Sequence, residues 1–96
     1  MGVINLIESW YNSNCDGEWE HVWGIKITTL DNPGWCVEID LSDTKLEGKH
    51  FNDIYNIIDD NDWIDCRVED NIFIGGGDSF KLGDILSIFI NWANEY

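Results

Sequence analysis

The chain has 96 residues, of which 44% are hydrophobic, and this length suits one small hydrophobic core and excludes two domains. Five Lys and Arg residues stand against 19 Asp and Glu residues, so the net charge at pH 7 is −14. A chain this acidic repels phosphate groups, which excludes nucleic acid and an anionic membrane surface as partners and favours a basic protein or divalent cations.

The N-terminal segment has the spacing of an amphipathic helix, which predicts a helix over residues 3–13. Its apolar residues are Val3, Leu6, Ile7, Trp10 and Tyr11. Turn-forming residues at 14–17 end the pattern. Because the segment lacks the basic region and cleavage site of a secretion signal, we expect a cytoplasmic protein. We also expect no membrane span, since no apolar run approaches the ~18 residues that one requires.

Two segments with a period of two follow, at residues 21–29 and 35–41. The turn residues Asp31, Asn32, Pro33 and Gly34 separate them. The segments therefore predict an antiparallel hairpin. Its inward-facing residues are Trp23, Ile25, Ile27, Trp35, Val37, Ile39 and Leu41.

Residues 42–50 are polar and irregular, and three further strands are predicted after them. The third strand spans residues 53–59 and the fourth spans 63–69, with a tight turn at 60–61 between them. In the fourth strand, alternation places Ile64, Cys66 and Val68 on the buried face, so Cys66 is expected to be buried and reduced.

A short fifth strand at residues 72–74 is predicted to end at the glycines of residues 75–77, and a helix closes the chain. The apolar stripe of this helix consists of Leu82, Ile85, Leu86, Phe89, Trp92, Ala93 and Tyr96. Short connections indicate antiparallel pairing, because parallel pairing needs long crossovers.

The predicted fold is α+β: an antiparallel four- to five-stranded meander sheet with the N- and C-terminal helices packed on one face, in a single domain over residues 1–96. The other face of the sheet is predicted to be exposed and mostly acidic. It would carry Lys26, Thr28, Glu38, Asp40, Trp63, Asp65, Arg67 and Glu69.

Three segments resemble chemical motifs without matching them. The glycines at residues 75–77 lie where phosphate-binding loops lie, but Phe80 replaces the third glycine of the dinucleotide motif. Residues 15–21 gather a thiol, three carboxylates and an imidazole, without a recognised metal-ligand or catalytic spacing. Residues 59–62 lack the glycine and the closing glutamate of a calcium loop. We therefore expect no catalytic residue, metal or cofactor.

The six tryptophans divide into two groups. Trp10, Trp92, Trp23 and Trp35 fit inward-facing positions of the predicted helices and strands. The same pattern does not bury Trp19 or Trp63, which either cover an edge of the core or anchor a partner as exposed aromatic residues surrounded by acid.

Several segments resemble one protein family over nearly the whole chain. These are CDGEWEH at residues 15–21, TLDNPGW at 29–35, Ile39-Asp40-Leu41, Val68-Glu69-Asp70, and the glycine-rich turn with the helix after it. The chain is similar to the immunity protein 53 family of bacterial polymorphic toxin systems. This resemblance implies a cytoplasmic antidote that binds a co-encoded toxin and has no catalytic activity.

The function predicted from charge and resemblance is binding of a cognate, basic toxin by a monomer or weak dimer. An acidic mimic of nucleic acid and a small metal-binding protein are the alternatives. Residues 53–70 hold seven acidic residues against Arg67 alone, so the interface is expected there and around Trp19. The predicted partner-binding residues are Asp16, Glu18, Trp19, Glu20, Glu38, Asp40, Asp60, Asp62, Trp63, Asp65 and Glu69.

Overall fold

The computed structural model describes residues 2–95, and three helices and five strands make up this part of the chain. In chain order they are α1 (Val3–Asn14), α2 (Trp19–Val22), β1 (Ile25–Leu30), β2 (Gly34–Asp40), β3 (Ile54–Asp59), β4 (Asp62–Glu69), β5 (Ile72–Gly77) and α3 (Leu82–Ala93). Tyr96, which the sequence placed in the apolar stripe of the closing helix, lies outside the described residues.

The five strands form one antiparallel sheet with the order β1-β2-β5-β4-β3. The predicted α+β class and antiparallel pairing are confirmed, but the order departs from a strict meander because β5 lies between β2 and β4. The connection over residues 41–53 is long enough to take the chain from β2 to the far edge of the sheet. That crossing leaves room at the centre, and β5 pairs there with both hairpins.

Both long helices pack on one face of this sheet, as predicted. Val37, Cys66 and Phe73 project from the strands of that face and are fully buried, so the predicted burial of Cys66 is confirmed. Phe89 of α3 packs edge-on against Phe73, with the two ring centroids 5.1 Å apart. Trp10 of α1 packs against the same Phe89 at 4.9 Å, which joins α1 to the core through α3.

The glycines at residues 75–77 continue β5 and do not end it, so the predicted end of the strand at Ile74 is wrong. The strand continues because Gly75 and Gly76 pair with both β2 and β4. A Cβ atom on Gly75 would collide with Cγ2 of Ile85, and one on Gly77 would lie 2.6 Å from Cβ of Lys81. The missing side chains therefore allow the start of α3 to lie directly on the sheet.

The irregular connection over residues 41–53 also contributes to the core. Leu46 and Phe51 are buried, and Phe51 packs edge-on against Trp92 with the ring centroids 5.2 Å apart. The Nζ of Lys49 donates hydrogen bonds to the carbonyl oxygens of Trp92 (2.7 Å) and Glu95 (2.6 Å). The connection thereby satisfies carbonyl groups at the C-terminal end of α3.

Candidate partner-binding surface

Among residues 2–95, the long helices cover only one face of the sheet, and the opposite face is here called the open face. Its residues alternate along each strand with the buried ones, and the register between strands fixes which residues lie side by side. The open face contains all eight residues that alternation placed there. It comprises Lys26, Thr28, Leu30, Cys36, Glu38, Asp40, Tyr55, Ile57, Trp63, Asp65, Arg67, Glu69, Ile72 and Ile74.

The charged residues of the open face form loose pairs. The Arg67 guanidinium lies 3.6 Å from the Asp65 carboxylate and 3.7 Å from that of Glu69, and all three side chains are partly exposed. Lys26 lies beside Glu38 in the register of β1 and β2. Because exposed ion pairs of this geometry contribute little to folding, these charges are available to a partner.

One end of the open face is apolar. The Trp63 ring lies over Gly76, where an added Cβ would come within 3.4 Å of it. Beside it on the edge strand β3, Tyr55 is 76% exposed and Ile57 is 47% exposed. Large side chains this exposed are unusual on a sheet that has no partner.

A groove at this end separates the β1–β2 turn from the β3–β4 turn. Its volume is about 530 Å³. The residues that line it are Asn32, Pro33, Ile57, Asp59, Asp60, Asn61 and Trp63. An aromatic and aliphatic surface with carboxylates at its border is suited to a basic side chain that also carries apolar carbon.

A buried carboxylate holds the backbone of Trp63. The Asp78 side chain accepts hydrogen bonds from the backbone N–H of Trp63 (2.9 Å), the backbone N–H of Phe80 (2.8 Å) and the Nζ of Lys81 (2.7 Å). These donors lower the pKa of Asp78 to about 2, the Lys81 hydrogen bond contributing most. Lys81 also bonds Asp62 at 2.9 Å, and both carboxylates raise its pKa.

Asp78 was not among the site residues predicted from the sequence. The available signal was its spacing: it follows the glycines directly and precedes Lys81 by three residues, at the start of the closing helix. Its pairing with the backbone of Trp63 depends on β4 and β5 being neighbours, which the predicted hairpins also implied.

The segment over residues 15–21 is held together by its own carboxylates. Asp16 accepts hydrogen bonds from the backbone N–H groups of Glu18 and Trp19, both at 2.9 Å. Glu20 accepts from those of Asp16 (3.0 Å) and Gly17 (2.9 Å). Hydrogen bonds from N–H groups lower the pKa of both Asp16 and Glu20. The segment is therefore a capped turn leading into α2.

This local structure corrects one prediction about the first strand. The sequence pattern placed its start at His21, whereas residues 19–22 are helical and β1 begins at Ile25. Hydrogen bonds from backbone N–H groups to the Asp16 and Glu20 carboxylates stabilise a turn followed by a short helix, where alternation alone indicated extended chain.

Trp19 is buried, being 2% exposed. Its Nε1 donates a hydrogen bond to the Ser42 carbonyl oxygen at 2.9 Å, and its ring packs edge-on against Trp10 (6.0 Å) and Tyr11 (5.9 Å). Trp19 is therefore not an exposed aromatic residue available as a partner anchor. It covers an edge of the core, which was the other interpretation. The physical reason is α2, which turns the ring toward α1.

The remaining predicted site residues lie in three places. Glu38, Asp40, Trp63, Asp65 and Glu69 share the open face, and Asp60 lies in the turn that borders the groove. Asp62 follows this turn and pairs with Lys81. Asp16 and Glu18 lie in the separate segment that precedes α2, and Glu20 lies in the first turn of α2.

Within residues 2–95, no three His, Cys, Asp or Glu side chains are arranged to hold a metal ion. The carboxylates of Asp16 and Glu20 point to backbone N–H groups, as described above. None of the helices described is both long and apolar enough to cross a membrane.

The fold is α+β, with helices on one face of the sheet and an open face whose four carboxylates and apolar end are accessible to a partner. The family model of immunity protein 53 matches residues 4–94, so the chain belongs to the immunity protein 53 family. Comparison with curated proteins and with solved structures found no match.

Proposed function

We propose that this protein is a cytoplasmic immunity protein that binds a basic toxin encoded beside it, and that it does so with the open face and the groove at Trp63. The single observation that carries the proposal is an apolar cluster on the open face, in which the half-buried Trp63 lies beside the exposed Tyr55 and Ile57, with Asp59 and Asp60 at its border. An apolar centre with a charged rim is the usual anatomy of a protein interface. Membership of the immunity protein 53 family supports the same function.

The net charge of −14 supports a basic partner. On the open face, Lys26 and Arg67 stand among four carboxylates, and the acidic β3–β4 turn continues the same potential. A basic surface would be steered toward this end of the molecule and would then find apolar contacts there.

Neutralisation by binding needs no catalytic group in this protein. The carboxylates of Asp16, Glu20 and the buried Asp78 accept hydrogen bonds from N–H donors that hold local structure. In the proposal the toxin is inactivated because a part of its surface is covered.

The test is a binding titration of the purified protein against the toxin encoded by the adjacent gene. We expect Trp63→Ala to weaken binding by ~30-fold or more, corresponding to about 2 kcal/mol, because a central aromatic anchor is lost. Ile4→Ala is the control, since it removes a large apolar side chain that is exposed but belongs to α1 in the helical layer. Its affinity should equal that of the wild type.

Circular dichroism must show that both variants remain folded. Wild-type affinity in folded Trp63→Ala would place the interface elsewhere on the molecule. A wild-type protein that fails to bind the adjacent toxin would refute the antidote function itself.

A further inference from the structure

Strand β3 forms one edge of the sheet and is exposed along almost its whole length. Tyr55, Ile57 and Ile58 are 76%, 47% and 64% exposed, and Asn56 and Asp59 are exposed as well. Within residues 2–95, β4 is the one strand that pairs with β3, so half of the backbone N–H and C=O groups of β3 point away from the sheet. These groups can pair with another extended chain.

This edge lacks most of the features that protect exposed strands. Natural edges are protected by lysine or proline, by a bulge, or by a covering element. The opposite edge, β1, carries the exposed Lys26. Residues 50–66 contain no Lys, Arg or Pro, and the protection of β3 is limited to a shift of register between Ile57 and Asp59.

The charges around β3 favour one kind of occupant. Exposed carboxylates lie at both ends of the strand: Asp53 precedes it, Asp59 is its last residue and Asp60 follows it. If β3 of a second copy paired antiparallel about the strand centre, Asp53 of one copy would lie near Asp60 of the other, and like charges that face each other across strands are destabilising. An extended segment with Lys or Arg near its ends would meet the opposite sign at both ends.

We propose that β3 accepts an extended basic segment of the toxin as a sixth strand of the sheet. This inference rests on the proposed function and adds the mode of binding. Backbone hydrogen bonds along β3 would supply affinity, and alternate side chains of the added strand would lie next to Tyr55 and Ile57, continuing the open face. The groove at Trp63 would hold a neighbouring part of the toxin.

The first measurement is amide hydrogen exchange of residues 54–58, resolved residue by residue, in the free protein and in the toxin complex. We expect exchange at alternate residues of β3 to slow by ~10-fold or more in the complex, because amides that point away from the sheet gain partners. If the toxin contacted only the open face and did not pair with β3, exchange would not slow at every second residue of the strand.

The second measurement is the affinity of Asn56→Lys. Asn56 pairs with Ile64, so its side chain lies on the face opposite Trp63, and it is exposed. A lysine there places a positive charge against a basic added strand, and we expect binding to weaken by ~10-fold. Asn12→Lys on α1 makes the same change of charge at another exposed asparagine and should stay within ~2-fold of the wild type.

The outcomes separate the two proposals. Loss of affinity in Trp63→Ala, combined with unchanged exchange along β3 and wild-type affinity in Asn56→Lys, would overturn strand addition and leave the toxin-binding function standing. Slow exchange along β3 in the free protein at high concentration, together with a dimeric mass, would identify a second copy as the occupant and would also overturn the proposal. Absence of any toxin binding would overturn both.

Discussion

Asp78 connects three parts of the chain with one side chain. Its carboxylate is 2% exposed and holds the N–H of Trp63 in β4, the N–H of Phe80 and the ammonium group of Lys81 at the start of α3. Three hydrogen-bond donors, one of them a cation, favour the ionised form of this buried carboxylate. Asp78, which holds the backbone of Trp63 at the apolar end of the open face, is thus a charged residue.

Replacement of Asp78 by asparagine should destabilise the fold in a pH-dependent manner. The folded-state pKa of about 2 lies below the ordinary value of 3.8, so the ionised carboxylate stabilises the fold above about pH 4, and this contribution is lost as the pH falls toward 2. We expect the melting temperature of Asp78→Asn to lie below that of the wild type at pH 7. The difference should shrink between pH 4 and pH 2.

Thermal unfolding followed by circular dichroism across this pH range checks the prediction. Asp84→Asn is the control, because Asp84 lies in the first turn of the same helix but is exposed. A deficit in Asp78→Asn that remained constant down to pH 2 would contradict the role assigned to the ionised carboxylate.

Trp19 and Trp63 show where residue-level prediction ends. Both sit among acidic residues, and the sequence pattern allowed each to be exposed or buried. The difference comes from their elements: Trp19 begins a short helix that turns its ring onto Trp10, while Trp63 lies on a strand face that neither long helix covers. Residue type and spacing do not contain that information.

At the scale of elements, the predicted hairpin and the alternation in β4 were correct for a simple reason. Their period of two is continuous and their turns carry strong signals, so local chemistry alone determines them. The structures of the capped turn over residues 15–21 and of the connection over residues 41–53 could not be predicted from local sequence. Their buried residues, Trp19 and Leu46, depend on contacts with elements distant in sequence.

The two segments that carry most of the family resemblance have structural roles in this chain. Asp16 and Glu20 cap the turn before α2. In the second segment, an added Cβ on Gly34 would collide with the Gly77 carbonyl oxygen, and the Nε1 of Trp35 donates to the Ser79 carbonyl oxygen at 3.0 Å. The resemblance therefore identified the family, whereas the fold was predicted from periodicity and turns, and neither identified the binding surface.

The close packing of α3 on β5 predicts opposite effects for two glycine substitutions. Gly75→Ala places a methyl group against Ile85 and should lower the free energy of unfolding by about 1–3 kcal/mol. Gly83→Ala, in the first turn of α3, has open space around its new Cβ and should raise it by up to about 1 kcal/mol through helix propensity.

Urea denaturation of both variants measures these changes under identical conditions. Because the two substitutions add the same methyl group, their difference isolates the packing between helix and sheet. Equal stabilities in the two variants would show that α3 does not lie on the glycines as described.

At the scale of the whole molecule, strand order is what the sequence could not fix. Each hairpin was visible locally, but the position of β5 between β2 and β4 depends on which edges remain free after the 41–53 connection has crossed the sheet. That connection is polar and irregular in sequence. Its buried residues become recognisable only when the helices are in place.

The net charge predicts how the proposed complex forms. Association with a basic toxin should slow by ~10-fold or more between about 20 mM and 500 mM salt, while dissociation changes less, because screening acts on long-range steering. Charge reversal in Asp60→Lys should slow association further than Glu8→Lys, since Asp60 borders the groove and Glu8 is exposed on α1.

Stopped-flow or surface-based kinetics over this salt range provides the measurement. Association rates that do not depend on salt would remove steering from the proposal. Equal association rates in Asp60→Lys and Glu8→Lys would mean that the acidic groove does not steer the toxin more than the rest of the surface does.

The central position of β5 has a consequence for the protein during its synthesis. Residues 25–40 and 54–69 can each form a hairpin as they emerge from the ribosome, but they are joined only by a strand that is made later, at residues 72–77. Until then the nascent chain holds two separate two-stranded ribbons, which are marginal in water. The five-stranded sheet therefore cannot assemble until β5 has been made, and a ribosome that stops before β5 leaves at most two unjoined ribbons.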